Sequence, residues 1–486
     1  MGGAGLMRGK KYIWSVILVI VIALLIYFAP VKNSNLTSYN MDIKYSDENK
    51  TIIGTETVDF INTDDVKLSE IYLHLYPNAF KDKDNVPFTK EEIGLAYPNG
   101  FKPGYIEINK ITFDKNVPAT YSIDKKTGEI LKILLPKKLD KGDRIKFTIN
   151  FKVQIPPSQG RFGYGKNTVQ VTNFYPILSV YDQNGWNNDP YYTLGDPFYS
   201  DVSNYTVSLT VPKDMVVAST GVIKSEKSHG NDDVLTIDAP NVRDFALVLS
   251  PKFKVAEEDV DGIKVKSYYF DEDVGLKALK YASDAIRFYN SYIGKYPYKQ
   301  YSVAESDFYM GGMEYPNLVF ITKDLYTKDN LFNLEYVIAH ETAHQWWYGA
   351  VGNNEVKEAW LDEGLTEYTT IMYIERYYGK ATADAVFKSI ISGEFYKFSK
   401  ANKDDAMVKT LGQFKDWNDY TNIVYNKGAM VFSELRGLIG DEKFKEVLNK
   451  YYNQYKYKNA TTQNLIDVVD SVTGKDTGGF FAEWLD

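Results

Sequence analysis

The chain of 486 residues contains no cysteine. Disulfide frameworks, cysteine-ligated zinc fingers, iron–sulfur clusters and thiol nucleophiles are therefore excluded together. Basic residues are not in excess either, because 56 lysines and arginines face 64 aspartates and glutamates, for a formal net charge of −8. This balance argues against nonspecific nucleic-acid binding, which requires a basic surface. We expect no nucleic-acid partner.

Histidine is also scarce, with four residues in the whole chain. They are His74, His229, His340 and His344. Any metal centre must then combine very few imidazoles with carboxylates. The hydrophobic fraction of 44% is ordinary for a globular chain, so we expect a large buried core.

One long apolar run lies near the amino terminus, at Tyr12–Phe28. At a rise of about 1.5 Å per residue it would extend about 26 Å as a helix, which is feasible for a bilayer span. Three basic residues precede it, and a positive flank favours a cytoplasmic amino terminus. We predict a cytoplasmic tail at 1–11, an uncleaved transmembrane signal-anchor at 12–29, and the remaining chain outside the cell.

A cleaved signal peptide is the main alternative for this run, and a buried core helix is a weaker one. The residues that follow, Ala29–Lys32, lack a small-x-small cleavage site, which favours the anchor. An external enzyme without disulfides is more typical of a bacterial surface than of the eukaryotic secretory route. The expected location is therefore the cell membrane, with a single pass.

The residue pattern of the chain beyond the anchor predicts a linker at 30–40, a β-rich domain at 41–252 and an α+β domain at 253–486. In the first domain, β-branched and aromatic runs separated by Gly, Pro, Asn and Asp predict a sandwich or a large curved, saddle-like sheet. The strands are predicted at 51–60, 70–75, 145–153, 205–211 and 245–249. In the second domain, helices are predicted at 331–348, 356–378, 425–439, 442–452 and 462–472.

The string His340-Glu341-Thr342-Ala343-His344 carries the strongest chemical signal. Residues four apart on a helix lie about 40° apart around its axis, so both imidazoles face one side and can bind one ion. Glu341 faces the same cleft without being forced to ligate. The alternative is a pair of structural histidines on an interior helix face.

A hydrolytic zinc site uses three protein ligands and one open position for water. Glu363 lies 19 positions after His344 on a second predicted helix and is the expected third ligand. Glu367 is one turn further on and is expected to accept a hydrogen bond from the free nitrogen of a ligating histidine. Asp362 is expected to be solvated or to cap the helix.

These blocks resemble the gluzincin zinc peptidases, specifically the aminopeptidase N and leukotriene hydrolase family. HETAHQWW at 340–347 and WLDEGLTEY at 360–368 are similar to the zinc-binding blocks of that family. GGMEY at 311–315 resembles its G-x-M-E-N signature, and YNKG at 425–428 resembles its Y-x-K-G block. The resemblance runs from about residue 40 to residue 486 with the blocks in the order of the family.

The resemblance implies a β-rich domain followed by a thermolysin-like catalytic domain that binds one Zn²⁺ through His340, His344 and Glu363. It implies that Glu341 is the general base and that the Tyr425 hydroxyl stabilises the oxyanion. The substrate is expected to lie along Gly311, Gly312, Met313 and Glu314. The Glu314 carboxylate would bind the free amino terminus of a peptide.

The sequence departs from the family pattern in three places. Tyr315 replaces the asparagine of the G-x-M-E-N signature, and the stretch 172–176 lacks the Gln or Glu that usually helps to hold the substrate amine. The chain also stops near the end of the catalytic domain, without the helical solenoid of many members. We therefore expect a more open catalytic domain, or one covered by a protein partner.

The sequence as a whole predicts a membrane-anchored zinc aminopeptidase that acts on peptides with a free amino terminus. A zinc endopeptidase on the same core is the first alternative, favoured if Tyr315 impairs amine recognition. A surface binding or assembly module without catalysis is the second. A lipid-epoxide hydrolase is a further alternative, because the family includes one.

Overall fold

The structure is a computed structural model that describes residues 35–402 and 406–485. Within these ranges a β-rich region is followed by an α+β region that becomes mostly helical. The predicted anchor at 12–29 lies outside the described residues. No helix within the described ranges is both long and apolar enough to cross a bilayer.

The β-rich region contains one short α-helix, three 3-10 helical turns and eighteen strands among the described residues. The strands are β1 (Ser38–Ser46), β2 (Thr51–Ile61), β3 (Leu68–His74), β4 (Tyr105–Phe113), β5 (Val117–Pro118), β6 (Thr120–Ile123), β7 (Ile130–Leu139), β8 (Arg144–Gln154), β9 (Gly163–Tyr164), β10 (Val169–Val171), β11 (Ile177–Leu178), β12 (Tyr181–Asp182), β13 (Gly185–Trp186), β14 (Ser203–Pro212), β15 (Val216–Ser219), β16 (Val222–His229), β17 (Asp232–Val242) and β18 (Leu247–Ser250). Helix α1 is Ile93–Ala96. Because β1 begins at Ser38, the last residues of the predicted linker belong to the first strand.

The main sheet of this region has eight strands in the order β16-β17-β14-β1-β2-β8-β4-β5. Its neighbours pair antiparallel except β1 and β14, which are parallel. Side chains of β2 alternate between buried and exposed because successive residues of a strand point to opposite faces. Two four-stranded sheets, β15-β18-β10-β9 and β11-β3-β7-β6, complete the region with the β12–β13 hairpin.

The α+β region begins with β19, four residues after Ser250, so the predicted boundary at 252–253 falls in the connection between the regions. Its strands are β19 (Lys254–Val260), β20 (Ile263–Tyr269), β21 (Gln300–Ser306), β22 (Gly312–Met313), β23 (Leu318–Thr322), β24 (Val351–Gly352) and β25 (Lys458–Asn459). Its helices are α2 (Glu272–Tyr292), α3 (Leu331–Ala343), α4 (Glu355–Glu358), α5 (Trp360–Tyr378), α6 (Lys380–Val386), α7 (Gly393–Ala401), α8 (Trp417–Tyr420), α9 (Gly428–Ile439), α10 (Asp441–Tyr455), α11 (Thr462–Thr473) and α12 (Gly478–Leu485).

The five-stranded sheet of this region has the order β19-β20-β21-β23-β22. Strand β22 pairs with β23 and leaves its other side at the edge of the sheet. Helix α3 runs beside this edge and packs on α2 and α5. The prediction of a β-rich domain followed by an α+β domain is confirmed.

Two predicted helices have different bounds in the structure. Helix α3 stops at Ala343 rather than continuing to residue 348, because Tyr348 has φ +105 and its N–H donates to the Val351 carbonyl. The predicted helix at 425–439 begins as a π-helical turn at Thr421–Lys427 before α9. Turns of this kind are frequent at functional sites.

Candidate active site

His340 and His344 point their Nε2 atoms at one place. These atoms lie 3.2 Å apart, and the Glu363 Oε2 atom lies 3.1 Å from the His344 Nε2 and 3.4 Å from the His340 Nε2. Helix α3 carries the first histidine, the residue after its end is the second, and α5 carries the glutamate. All three side chains are largely buried.

The outer ring nitrogens of both histidines have hydrogen-bond partners. The His340 Nδ1 lies 2.9 Å from the Glu367 Oε2, and Tyr336 donates its hydroxyl to the other Glu367 oxygen at 2.6 Å. The His344 Nδ1 lies 3.1 Å from the Trp347 carbonyl oxygen. When each Nδ1 donates, each Nε2 keeps its lone pair for the shared point.

This donor set fits a zinc ion. Two imidazole nitrogens and one carboxylate oxygen converge within 4.8 Å of one another, which leaves a fourth position for water. Burial alone would raise the pKa of the Glu363 carboxyl, but His344 and His340 lower that pKa well below its usual range. The direction of this shift favours the ionised form, which a carboxylate ligand of a metal must have.

Glu341 lies against the edge strand rather than among these donors. A Cβ atom added to Gly312 would come within 2.0 Å of the Glu341 Oε1, so the carboxylate needs glycine at that position. The Glu341 Oε2 is buried and has no hydrogen-bond partner in the described chain. Burial raises the pKa of Glu341 to about 7, although both histidines oppose the shift. A carboxyl group with this pKa is suited to proton transfer near neutral pH.

Gly311 and Gly312 line the cavity beside Glu341, and the buried Met313 follows them. Gly311 has φ +93, a conformation that side chains disfavour, and β22 starts directly after it. Glu314 follows the strand with only 4% of its surface exposed, and its Oε1 has no partner in the described chain. Burial raises the pKa of the Glu314 carboxyl well above its usual value, a shift that His344 partly opposes.

Tyr425 reaches the site from the π-helical turn before α9. Gly364 of α5 and Gly428 of α9 lie backbone to backbone, since a Cβ added at either glycine would come within 2.9 Å of the other glycine's Cα. This close approach brings the Tyr425 hydroxyl to Glu363, where it donates a short hydrogen bond to Oε1. The Tyr425 hydroxyl therefore lies beside the expected ligand Glu363.

Asp362 differs from its predicted role. It is not solvated but 2% exposed, and it accepts a hydrogen bond from the Asn353 side chain at 2.9 Å. Burial raises the pKa of Asp362 to about 6. The first turn of α5 is buried in the core. Asp362 was predicted to face solvent, but it faces other parts of the protein.

The predicted site residues other than Met313 line one cavity of about 240 Å³, here called the catalytic cavity. Arg161 and Asp196 of the β-rich region also line it, together with Trp417. None of these three was predicted from the sequence to have a role. Gly195-Asp196-Pro197 shows a turn signal, but no spacing rule connects it to a zinc motif more than a hundred residues away.

Most of the α+β region is similar to a known protein family. Residues 277–484 match the family model described as "Peptidase family M1 domain". This part of the chain, here called the M1 domain, is therefore similar to that family. The predicted resemblance to the gluzincin aminopeptidases is thereby confirmed.

Curated relatives of the M1 domain include aminopeptidases. Leucine aminopeptidase 2-1 of Meyerozyma guilliermondii is 33% identical over 190 residues, which cover 37% of this chain and 30% of the relative. Aminopeptidase N of Haemonchus contortus is 24% identical over 471 residues, which cover 81% of this chain and 47% of the relative. The chain thus spans less than half the length of these relatives.

Solved structures share the fold over almost the whole chain. The crystal structure of an M1 zinc metallopeptidase from Deinococcus radiodurans has a TM-score of 0.65 at 16% identity and covers 94% of this chain and 96% of that chain. A mutant of that enzyme bound to a Tyr-Ser-Ala substrate gives a TM-score of 0.64 at 15% identity. The β-rich region and the M1 domain together therefore have a fold found in M1 metallopeptidases.

Proposed function

We propose that the chain is a zinc-dependent aminopeptidase that removes amino-terminal residues from peptides. The observation that carries the proposal is the convergence of the His340, His344 and Glu363 ligand atoms beside a buried, unpartnered glutamate. The aminopeptidase relatives of the M1 domain support the same reaction class. One zinc ion per chain is expected.

The residues of the catalytic cavity have different roles in peptide hydrolysis. A zinc ion held by the three ligands supplies Lewis-acid polarisation and a water that ionises near neutral pH. Glu341 takes the proton of the attacking water and delivers it to the leaving amine. The Tyr425 hydroxyl donates a hydrogen bond to the oxyanion that develops on the attacked carbonyl.

Glu314 explains why the enzyme would act at a chain end. A buried carboxylate without a partner is unfavourable, and a free α-ammonium group supplies both charge and hydrogen-bond donors. The substrate backbone can lie along the free edge of β22, where glycine leaves room for it. The first peptide bond would then lie beside Glu341 and Tyr425.

The test is hydrolysis of aminoacyl arylamides by the purified protein, each compared with its N-acetylated counterpart. We expect cleavage of the free-amine substrates only, loss of activity with a chelator and recovery when zinc is returned. Elemental analysis should find one zinc per chain, and Glu363→Ala should sharply lower that content. Cleavage of blocked internal peptide bonds at comparable rates would establish the endopeptidase alternative instead.

We also propose that residues 12–29 anchor the enzyme in the cell membrane with its M1 domain outside. The apolar run, its basic flank and its aromatic ends support this location. The protein partner expected over the open catalytic domain stays a prediction.

A further inference from the structure

A buried ion pair forms one wall of the catalytic cavity. Arg161 and Asp196 are 7% and 6% exposed, and the guanidinium donates a short hydrogen bond to the Asp196 Oδ1. The same guanidinium nitrogen donates to the Gly195 carbonyl at 3.0 Å, and the Arg161 Nε lies 3.1 Å from the Met313 sulfur. The pair therefore fixes the Asp196 carboxylate against the segment that carries Glu314.

Gly195 permits this position of Asp196. It has φ +68, and a Cβ atom there would come within 2.5 Å of a Leu411 methyl carbon and 2.8 Å of the Tyr420 hydroxyl oxygen. A larger residue would push the loop away from the M1 domain. The loop between β13 and β14 is thus shaped to bring an aspartate into the cavity.

Three carboxylates converge at this wall. One oxygen each from Asp196, Glu314 and Glu363 lies within 4.8 Å of the others, while Glu363 is also a ligand of the expected zinc ion. The Glu314 Oε1 is buried and lacks any partner in the described chain. Arg161 offsets the charge of Asp196 and the expected zinc ion that of Glu363, so Glu314 is the carboxylate at this wall that still favours a bound cation.

Two of the three departures from the family pattern, Tyr315 and the stretch 172–176, contact each other instead of the cavity. Tyr315 donates its hydroxyl to the Asn173 Oδ1 at 3.1 Å, and both side chains are buried. Among the described residues around the catalytic cavity, none comes from 172–176. That stretch therefore supplies no acceptor for a substrate amine here.

We propose that Asp196, together with Glu314, binds the free α-ammonium group of the substrate, and that Arg161 is its positioning residue. The inference rests on the proposed aminopeptidase function and names a second specificity-determining residue for it. An α-ammonium group has three N–H donors and one positive charge, which matches acceptors on two or three carboxylates. An N-acetylated terminus has neither the charge nor the donors.

A binding measurement tests the proposal without turnover. In the zinc-loaded Glu341→Gln protein, calorimetry would compare L-leucinamide with N-acetyl-L-leucinamide, with and without Asp196→Asn. We expect Asp196→Asn to weaken leucinamide binding about tenfold or more and to leave the acetylated ligand unchanged. Asp214→Asn, which removes an exposed carboxylate of the same region, is the matched control and should change neither.

Kinetics of L-leucine 4-nitroanilide hydrolysis provide the second readout. Because the amine is bound in both the ground state and the transition state, Asp196→Asn should raise KM more than it lowers kcat. Asp196→Glu, which keeps the charge, should restore most of the preference for the free amine. Zinc content should stay at one per chain in each variant.

Asp196→Asn leaves the Arg161 charge buried and unpaired, so this variant could fail to fold. The double variant Arg161→Gln/Asp196→Asn removes both charges and should still lose the preference for leucinamide. An undiminished preference in a folded variant overturns the inference, as does a second metal ion held by Asp196 and Glu314. If the wild-type protein binds leucinamide through Asp196 but cleaves no arylamide, the proposed function fails and this inference stands.

Discussion

Glu341 lies against Gly312 in the catalytic cavity, yet its carboxylate is not among the converging ligand atoms. We therefore expect Glu341→Gln to keep one zinc per chain and an unchanged fold. Its kcat should fall about 10²–10⁴-fold, the range that general acid–base catalysis contributes. Single-turnover kinetics with elemental analysis would check this, and a kcat close to the wild-type value would remove Glu341 from the mechanism.

Tyr425 offers a sharper comparison, because a second tyrosine lies five residues earlier. We expect Tyr425→Phe to lower kcat about 10²–10³-fold with little change in KM, since its hydrogen bond matters mainly in the transition state. Tyr420 is fully buried, and its hydroxyl has no hydrogen-bond partner in the described chain. Tyr420→Phe is therefore the matched control and should keep near-normal kcat. Equal losses in both variants would argue for packing rather than oxyanion stabilisation.

At the residue scale, the site residues that belong to contiguous sequence motifs could be predicted. Residues that only tertiary contacts bring to the cavity could not. His340, His344 and Glu363 follow from helical spacing and the chemistry of zinc, and the structure brings them together. Asp196 could not be found this way, because a loop of another region carries it to the cavity. Asp362 was misplaced because a helix that is buried on several sides has no solvent face.

At the scale of elements, strand positions were easier to predict than helix ends. The prediction at 51–60 differs from β2 (Thr51–Ile61) by one residue, since alternating side chains mark a strand clearly. The end of α3 was wrong by five residues. Neither glycine nor proline precedes Tyr348, so nothing in the sequence indicates the left-handed backbone that stops the helix.

Strand β3 contains a histidine whose burial should make the β-rich region sensitive to acid. His74 stacks on Tyr76, and its Nε2 lies 3.2 Å from the Asn187 carbonyl oxygen, while burial lowers its pKa from 6.5 to about 4. The folded protein therefore disfavours the proton that the unfolded chain accepts below pH 6.5. The contribution of His74 to the free energy of unfolding is therefore fully present above pH 6.5 and is lost as the pH falls towards 4.

We expect about 2 kcal/mol of this stabilisation to be lost between pH 7 and pH 5. His74→Gln, which stays neutral, should show a smaller loss over the same interval, measured by urea unfolding of the β-rich region. His229→Gln, at the exposed end of β16, is the matched control and should behave as the wild type. Parallel pH profiles for all three proteins would show that His74 does not carry the effect.

At the scale of the whole molecule, the catalytic cavity depends on how the β-rich region meets the M1 domain. Arg243, at the end of the β-rich region, donates to the Tyr348 carbonyl at 2.6 Å and to the Lys458 carbonyl at 2.6 Å. Its neighbour Asp244 accepts the Tyr348 hydroxyl at 2.7 Å. These contacts hold the turn after His344, so the β-rich region supports the ligand geometry besides contributing Asp196.

The proposed position of the enzyme relative to the membrane rests on its first thirty residues. If residues 12–29 form an uncleaved anchor with the basic flank inside, external protease should remove the activity from intact bacterial cells that express the protein. Amino-terminal sequencing of the mature protein should find residues 1–11 retained. Reversing the flank with Arg8→Glu, Lys10→Glu and Lys11→Glu should protect the activity from protease, because positive charge favours the cytoplasmic side. A mature terminus near residue 30 together with activity in the medium would show that the run is a cleaved signal peptide instead.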